Sequence, residues 1–398
     1  MICYKIRRFF SAFSCFLLFC FLLSALPAQE SILSSYERNF IRASLTAKTR
    51  LLEDAAKDER AKEFIGNLYE FALQFALSSG QFLGNDPDMI SLVAVAARGA
   101  GTSGNKDSVK TLWELFQIFS DSYSRVEILG ALATLGTGNQ ELIGMLNRFL
   151  LGENDSFRKG GMNNTGIDFP VIKACIRVLG ILGDNSSFPV LFSAMTAGYP
   201  QDIIQETLKA LDSIQGNYKD YLINVIRNNP FPEKAAAFRI GAYNEKLKPS
   251  ERGELAQAAL EVSLGSNQGA SLRYDAVTVL TRLKWLPAAP LAIRNFYQVQ
   301  SDHSSALAPR ERFLEAIAFL GIMESAEAAQ ALALQLGFLN SQTEKTGEYD
   351  EAIILALINA LGELRDKAAF DYLLYIGYLD YPDRIQAAER DALNRLRW

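Results

Sequence analysis

The sequence predicts an all-α fold in which helical hairpins repeat along the chain, and three observations predict it. Apolar residues recur at i, i+3, i+4 and i+7, the spacing that places them on one stripe of a helix. The stripe itself then recurs, as Val93, Ala96, Ala97 and Ala100 and as Ile128, Ala131, Leu132 and Leu135. No stretch alternates apolar and polar residues with the period of two that a half-buried strand needs, and the connections hold few prolines.

The elements follow in chain order. Lys5, Arg7 and Arg8 precede an apolar run, Phe9 to Leu23, and a small-residue exit, Ser24-Ala25-Leu26-Pro27-Ala28. That is the layout of a secretory signal peptide over residues 1–28, cut after Ala28 or Ala25. Extended to Ala28, the run approaches the roughly 20 residues of a membrane span, so an uncleaved N-terminal anchor is the alternative. Residues 31–85 read as two helices, 33–55 and 58–80, without the later repeat pattern. They are expected to cap the exposed end of a repeat array.

From residue 86 the stripe returns again and again: Cys175/Val178/Leu179/Leu182, Thr207/Ala210/Leu211/Ile214, Ala276/Val279/Leu280/Leu283, Phe313/Ala316/Ile317/Leu320 and Ile354/Leu357/Ile358/Leu361. Its first positions are spaced by 35, 47, 32, 69, 37 and 41 residues; the 69 holds two pitches, with a degenerate copy near "KAAAFRIGAYNEKL". A glycine follows most stripes (Gly101, Gly136, Gly183, Gly321, Gly362), where a left-handed closing residue is expected; Lys284 takes its place once. A turn and a second apolar helix come next, as at Phe188 to Met195. The charged segment "PDRIQAAERDALNRLRW" closes the chain as a second cap.

The joint in "RVLGILGDNSSFPVLFSA" and "INALGELRDKAAFDYLLYI" resembles that of HEAT-type repeats over residues 86–398. The resemblance implies a right-handed α-α superhelix, a HEAT/ARM-like solenoid of about eight helical hairpins. It implies a broad protein-binding surface and no particular chemistry.

Composition narrows function further. Removing residues 1–28 takes three positive charges and moves the net charge from −5 to −8, and no polybasic block is left to attract nucleic acid or an anionic membrane. One histidine, His303 in a polar loop stretch, excludes a two-histidine zinc site, so no metal and no cofactor is expected. Cys175 is the one cysteine outside the leader, so no internal disulfide forms; its stripe position makes it a core residue. Gly99-Ala100-Gly101-Thr102-Ser103-Gly104 spells a dinucleotide-binding glycine motif, but the segment after it has helical periodicity and offers no second parallel strand. "GENDSFRKGGMNNTGIDFP", 152–170, reads as a solvated inserted loop, and "EKTGEY", 344–349, as a polar inter-helix loop.

Tyr372, Tyr375, Tyr378 and Tyr381 come at steps of three in a helix expected over 366–379. On an α-helix they would wind around about half its circumference, some packing in the core and the rest free to contact a partner. These four are the candidate partner-binding residues. The expected function is that of an exported, non-catalytic scaffold that binds another envelope protein. The alternative is an envelope enzyme or ligand-binding protein with a pocket between the N-terminal helices and the first repeats.

Overall fold

The computed structural model describes residues 32–160 and 165–397; the leader read over residues 1–28 lies outside them. Every regular element among the described residues is helical, and the one bridge between extended segments joins Asp366 to Arg397. The fold is all-α.

The chain divides into two compact units, one ending at Gly216 and one beginning at Asn217, a boundary inside the span 86–398. The first holds α1 (32–42), α2 (Leu45–Ala55), α3 (Ile65–Leu83), α4 (Pro87–Ser103), α5 (Ser108–Ile118), α6 (Ser122–Leu135), α7 (Gln140–Gly160), α8 (Phe169–Leu182), α9 (Phe188–Thr196) and α10 (Gln201–Ser213). Alternate helices pack in one row, α2 on α4, α4 on α6, α6 on α8 and α8 on α10, while α3 meets α5 and α7 meets α9. The second unit holds α11 (Lys219–Asn228), α12 (Phe231–Ala242), α13 (Pro249–Ser263), α14 (Ala270–Leu283), α15 (Ala289–Ser304), α16 (Arg310–Gly321), α17 (Ala326–Thr346), α18 (Glu351–Leu364), α19 (Phe370–Leu374) and α20 (Asp383–Arg395). There α14, α16, α18 and α20 pack in one row, and α13, α15, α17 and α19 in another.

The stripes form the core of both units. Every stripe residue named above is buried except Leu182 and Leu283, which close their helices and are partly exposed. Each fully buried leucine or isoleucine contributes about 1.5–3 kcal/mol relative to exposure, which is how these helices hold without disulfides. Their starts are fixed by side-chain caps: Asp86, Asp121, Asp168 and Asp350 each accept a hydrogen bond from a first-turn amide.

The glycines do two different things, three residues apart. Gly101, Gly180, Gly321 and Gly362 lie inside the last turn of their helices, where the next helix of the row comes closest. A β-carbon on Gly101 would lie 3.0 Å from the Ala131 Cα, and one on Gly180 would lie 2.8 Å from the Ala210 Cα. Equivalent contacts pair Gly321 with Ala360 and Gly362 with Ala392. The left-handed residue comes three positions later, at Gly104, Gly183, Glu324 and Arg365. Of the glycines expected to close a helix in the left-handed conformation, Gly183 does so; Gly136 caps α6 with a negative φ of −85°, Gly101, Gly321 and Gly362 serve close packing instead, and Lys284 closes α14 left-handed as expected.

Other expectations change as well. The helix expected over 33–55 breaks at Ser44, whose side chain caps α2. Buried Lys48 reaches back to carbonyls at and just past the end of α1, donating to Phe40 O and Ala43 O at 2.6 Å each. Lys234 does the same for α11, donating to Ile226 O and Arg227 O at 2.7 Å. These lysines add charge-assisted donors to carbonyls at helix C-terminal ends, where intrahelical partners run out. The helix expected over 58–80 begins later, at Ile65, after a 3-10 turn at Glu59–Ala61. The loop expected over 152–170 is helical through Gly160, because Leu150, Asn154 and Phe157 keep α7 buried at i, i+4 and i+7. Residues 344–346 likewise belong to α17, which Gly347 closes in the left-handed conformation.

Candidate functional site

The four tyrosines follow α18 in the second unit. Left-handed Arg365 ends α18, Asp366 caps a 3-10 turn at Lys367–Ala369, and α19 begins at Phe370. The helix expected over 366–379 is therefore split. The α-helix stops at Leu374 and continues as a 3-10 segment, Tyr375–Tyr378. In 3-10 geometry residues three apart eclipse, so Tyr375 and Tyr378 share one face instead of winding apart. Their ring centroids are 6.5 Å apart.

The structure sorts the four by burial. Tyr378 is 78% and Tyr375 38% exposed, Tyr372 is half-buried, and Tyr381 is 3% exposed. Tyr372 lies over Gly337 of α17, where a β-carbon would come within 2.7 Å of the ring. The Tyr381 hydroxyl lies 3.2 Å from Asn340 Oδ1 and 3.0 Å from Thr343 Oγ1, while Asn340 Nδ2 donates to Tyr372 O at 3.2 Å. Tyr381 and Asn340 thus lock α19 and the segment after it onto α17. Interaction of the Tyr375 hydroxyl with the Glu344 carboxylate, and to a lesser degree desolvation, pushes the Tyr375 pKa upward.

Sequence reasoning missed two exposed apolar residues of α17, the helix against which α19 packs. Leu334 and Phe338 of α17, 48% and 64% exposed, stand one turn apart beside Gly337. Leu332 and Leu336 of the same helix are fully buried. A second stripe at i and i+4, outside the buried one, was the available signal. Tyr375 and Tyr378, with exposed Leu374 before them, form the candidate interaction face. Glu344, Asp371 and Asp380 are exposed, and none has an ion-pair partner among the described residues.

The packing row behaves differently, because its charges pair from one helix to the next. Arg98 meets Glu127 at 2.9 Å, Lys173 meets Asp202 at 2.8 Å and Arg177 meets Glu206 at 2.7 Å in the first unit. In the second, Arg384 meets Glu351 at 3.2 Å and Arg395 meets Glu363 at 3.0 Å. Between the row helices lie open grooves: about 570 Å³ between α6 and α8, floored by Gly130, Ala133 and Val178, and about 280 Å³ between α16 and α18, floored by Ala318, Gly321 and Ala360.

The remaining sequence candidates fall elsewhere. Gly99 and Gly101 lie within α4 and Gly104 is its left-handed C-cap, so the glycine motif ends a helix instead of opening one. α3 packs hard against that turn: a β-carbon on Gly99 would be 2.2 Å from the Tyr69 ring. His303 is not in a loop. It lies in the last turn of α15, its ring stacked 5.3 Å from Phe313 and Nδ1 3.1 Å from Ala308 O. Cys175 is fully buried in α8, and burial drives its thiol pKa far upward, which suppresses the reactive thiolate. Among the described residues no three His, Cys, Asp or Glu side chains gather as a metal-binding group, and no helix is long and apolar enough to cross a membrane.

No protein-family model matches the chain, and no curated protein matches it in sequence.

Proposed function

We propose that this chain is an exported, non-catalytic helical-repeat scaffold that binds another protein of the cell envelope. Its architecture in this reading is a right-handed HEAT-like solenoid of about eight hairpins, carrying its leader at residues 1–28. The row packing within each unit supports the repeat reading, as does the recurrence of one glycine-then-left-handed joint at residues 101/104, 180/183, 321/324 and 362/365.

The observation that carries the binding reading is the exposed pair Tyr375 and Tyr378, on one face of the 3-10 segment with ring centroids 6.5 Å apart. Isolated exposed apolar residues are ordinary on a protein surface; an exposed aromatic pair held in place by a buried hydrogen-bonded brace is what an interface anchor requires. Tyrosines contribute large contact area at low entropic cost, which suits them to anchor a complex. Tyr372 and Tyr381 serve as the brace, and Tyr375 and Tyr378 as the contact.

Cross-linking and capture from the native envelope tests the reading. Wild-type chain and Tyr381→Phe are expected to capture the same partner, and Tyr375→Ala/Tyr378→Ala to lose it with an unchanged circular dichroism spectrum. Retention of every partner by the double variant removes this face from the function.

A further inference from the structure

We infer that the first unit carries a site for a small zwitterion, an α-amino acid, among α6, α7 and α8. Arg125 receives its carboxylate, Glu153 receives its ammonium group, and the Tyr199 hydroxyl adds a further hydrogen bond. The site shares no residue with the tyrosine face and stands or falls apart from it.

The fold gathers these three side chains along α7. Phe149, Glu153 and Phe157 lie at i, i+4 and i+8, one above the other on one side of that helix. At one end of the line, Phe149 lies 5.2 Å from the Arg125 guanidinium, which also sits 4.3 Å over Phe116. At the other end, the Phe157 ring is stacked 4.4 Å from Tyr199 and lies 5.9 Å from Phe169. Glu153 stands between the two, one helical turn from each ring. Ser122, one turn before Arg125 on α6, donates to the Asp168 cap of α8 at 2.7 Å and pins the two helix starts together. The charges register this placement. Burial pushes the Glu153 pKa upward, and Arg125 is the next largest influence on it. Burial, and after it the Glu153 carboxylate, pushes the Tyr199 pKa upward, so the hydroxyl keeps its proton.

The polar groups of this cluster have no partners in the chain. Tyr199 is 3% exposed, and its hydroxyl is buried without a hydrogen bond. Arg125 Nε is buried in the same condition. Among the described residues neither the Arg125 guanidinium nor the Glu153 carboxylate makes a hydrogen bond or an ion pair. Other arginines of the unit do: Arg98 meets Glu127 at 2.9 Å, Arg158 donates to Ser193 O at 2.9 Å, and Arg177 meets Glu206 at 2.7 Å. A desolvated cation and a desolvated anion that stand close without pairing, beside an orphaned buried hydroxyl, complement a molecule that carries both charges. An α-amino acid holds them on one carbon and satisfies all three groups. A simple acid leaves Glu153 without a partner, and a simple amine does the same to Arg125. The outer guanidinium nitrogens and the Glu153 oxygens keep contact with solvent, which gives the ligand its way in. Phe116 and Phe157, almost fully buried, exclude water from the flanks and strengthen both charge contacts.

Isothermal titration of the full chain with the standard L-amino acids tests the inference, each one that binds being compared with its N-acetyl derivative and its methyl ester. At least one amino acid is expected to bind saturably, and both blocked forms to bind at least about tenfold more weakly. Arg125→Met is expected to weaken the free amino acid at least about tenfold and to abolish its advantage over the ester. Glu153→Gln is expected to abolish its advantage over the N-acetyl form. Tyr199→Phe, which removes one oxygen, is expected to weaken binding about fivefold. Glu127→Gln, at the Arg98 pair of the same helix, is expected to leave binding unchanged. Circular dichroism checks that each variant is folded, and the two conservative variants at Glu153 and Tyr199 decide the matter if Arg125→Met is not. No saturable heat from any amino acid, the result for a cluster that holds water alone, overturns the inference. So does equal binding of the free and blocked forms, or a loss from Glu127→Gln equal to that from Glu153→Gln.

Discussion

Gly180 of α8 and Ala210 of α10 approach so closely that a β-carbon on Gly180 would lie 2.8 Å from the Ala210 Cα. The contact sets the spacing of neighbouring helices in the row, and Gly101 with Ala131 repeats it. Gly130 of α6 is the counter-example, a helical glycine with nothing within 4 Å of the added carbon. Gly180→Ala is expected to lose about 1–2 kcal/mol, overpacking outweighing the better helix propensity of alanine. Gly130→Ala, with no clash, is expected to gain about 0.5–1 kcal/mol. Urea melts at unchanged m-value read both; a Gly180→Ala variant as stable as Gly130→Ala contradicts the packing role.

The tyrosines divide into brace and contact, and stability measurements separate them. Tyr381→Phe leaves buried Asn340 and Thr343 short of a partner and is expected to cost about 1–2 kcal/mol. Tyr378→Ser, at an exposed position, is expected to stay within about 0.5 kcal/mol of wild type. The reverse order in thermal or urea unfolding means the segment 375–381 is turned over.

Asp184 gives a dependence on pH. Its carboxylate accepts from Gln140 Nε2 at 2.7 Å, from the Ser186 hydroxyl at 2.6 Å and from the Ser186 amide at 2.9 Å, and these bonds hold its pKa below the ordinary 3.8. A carboxyl group whose pKa is depressed on folding contributes stability that is complete above the unfolded value and is lost as pH falls through the folded one. Asp184→Ala is expected to cost about 1 kcal/mol at neutral pH, as for other lost caps. Its deficit against wild type should shrink steadily below the carboxylate range. A deficit that persists undiminished in acid means the charge of Asp184 is not what the turn uses.

Much of the fold was legible because helix periodicity and burial are the same fact seen twice. The stripes at Ile128, Phe313 and Ile354 are buried throughout, and the degenerate copy near Phe238 is a helix with that phenylalanine in the core. What escaped was local geometry under tertiary control. Nothing in the alternation of apolar residues says that Lys48 will cap α1 and allow a break at Ser44. The polar composition of residues 152–160 resembles a loop, yet Asn154 is tied by its amide to Val190 O at 3.2 Å, which holds α7 on course. The interaction face was half legible: the tyrosines announce themselves, but their eclipsed arrangement depends on the change to 3-10 winding at Tyr375. Phe338 was hidden inside an apolar run, where only the position of Leu332 and Leu336 shows that it faces outward.

The repeat architecture is the claim on which the scaffold reading stands, and a truncation tests it most directly. In a repeat array each element depends on its sequence neighbours, so stability is approximately a sum of repeat and interface terms. A fragment ending at Gly265, the exposed left-handed residue after α13, removes α14–α20 without cutting a helix. Far-UV circular dichroism with a urea melt is the measurement. The account predicts a fragment with the helical signal per residue of the full chain, a lower urea midpoint, and poorer solubility from the newly uncovered end. A fragment with the spectrum of a random coil contradicts it.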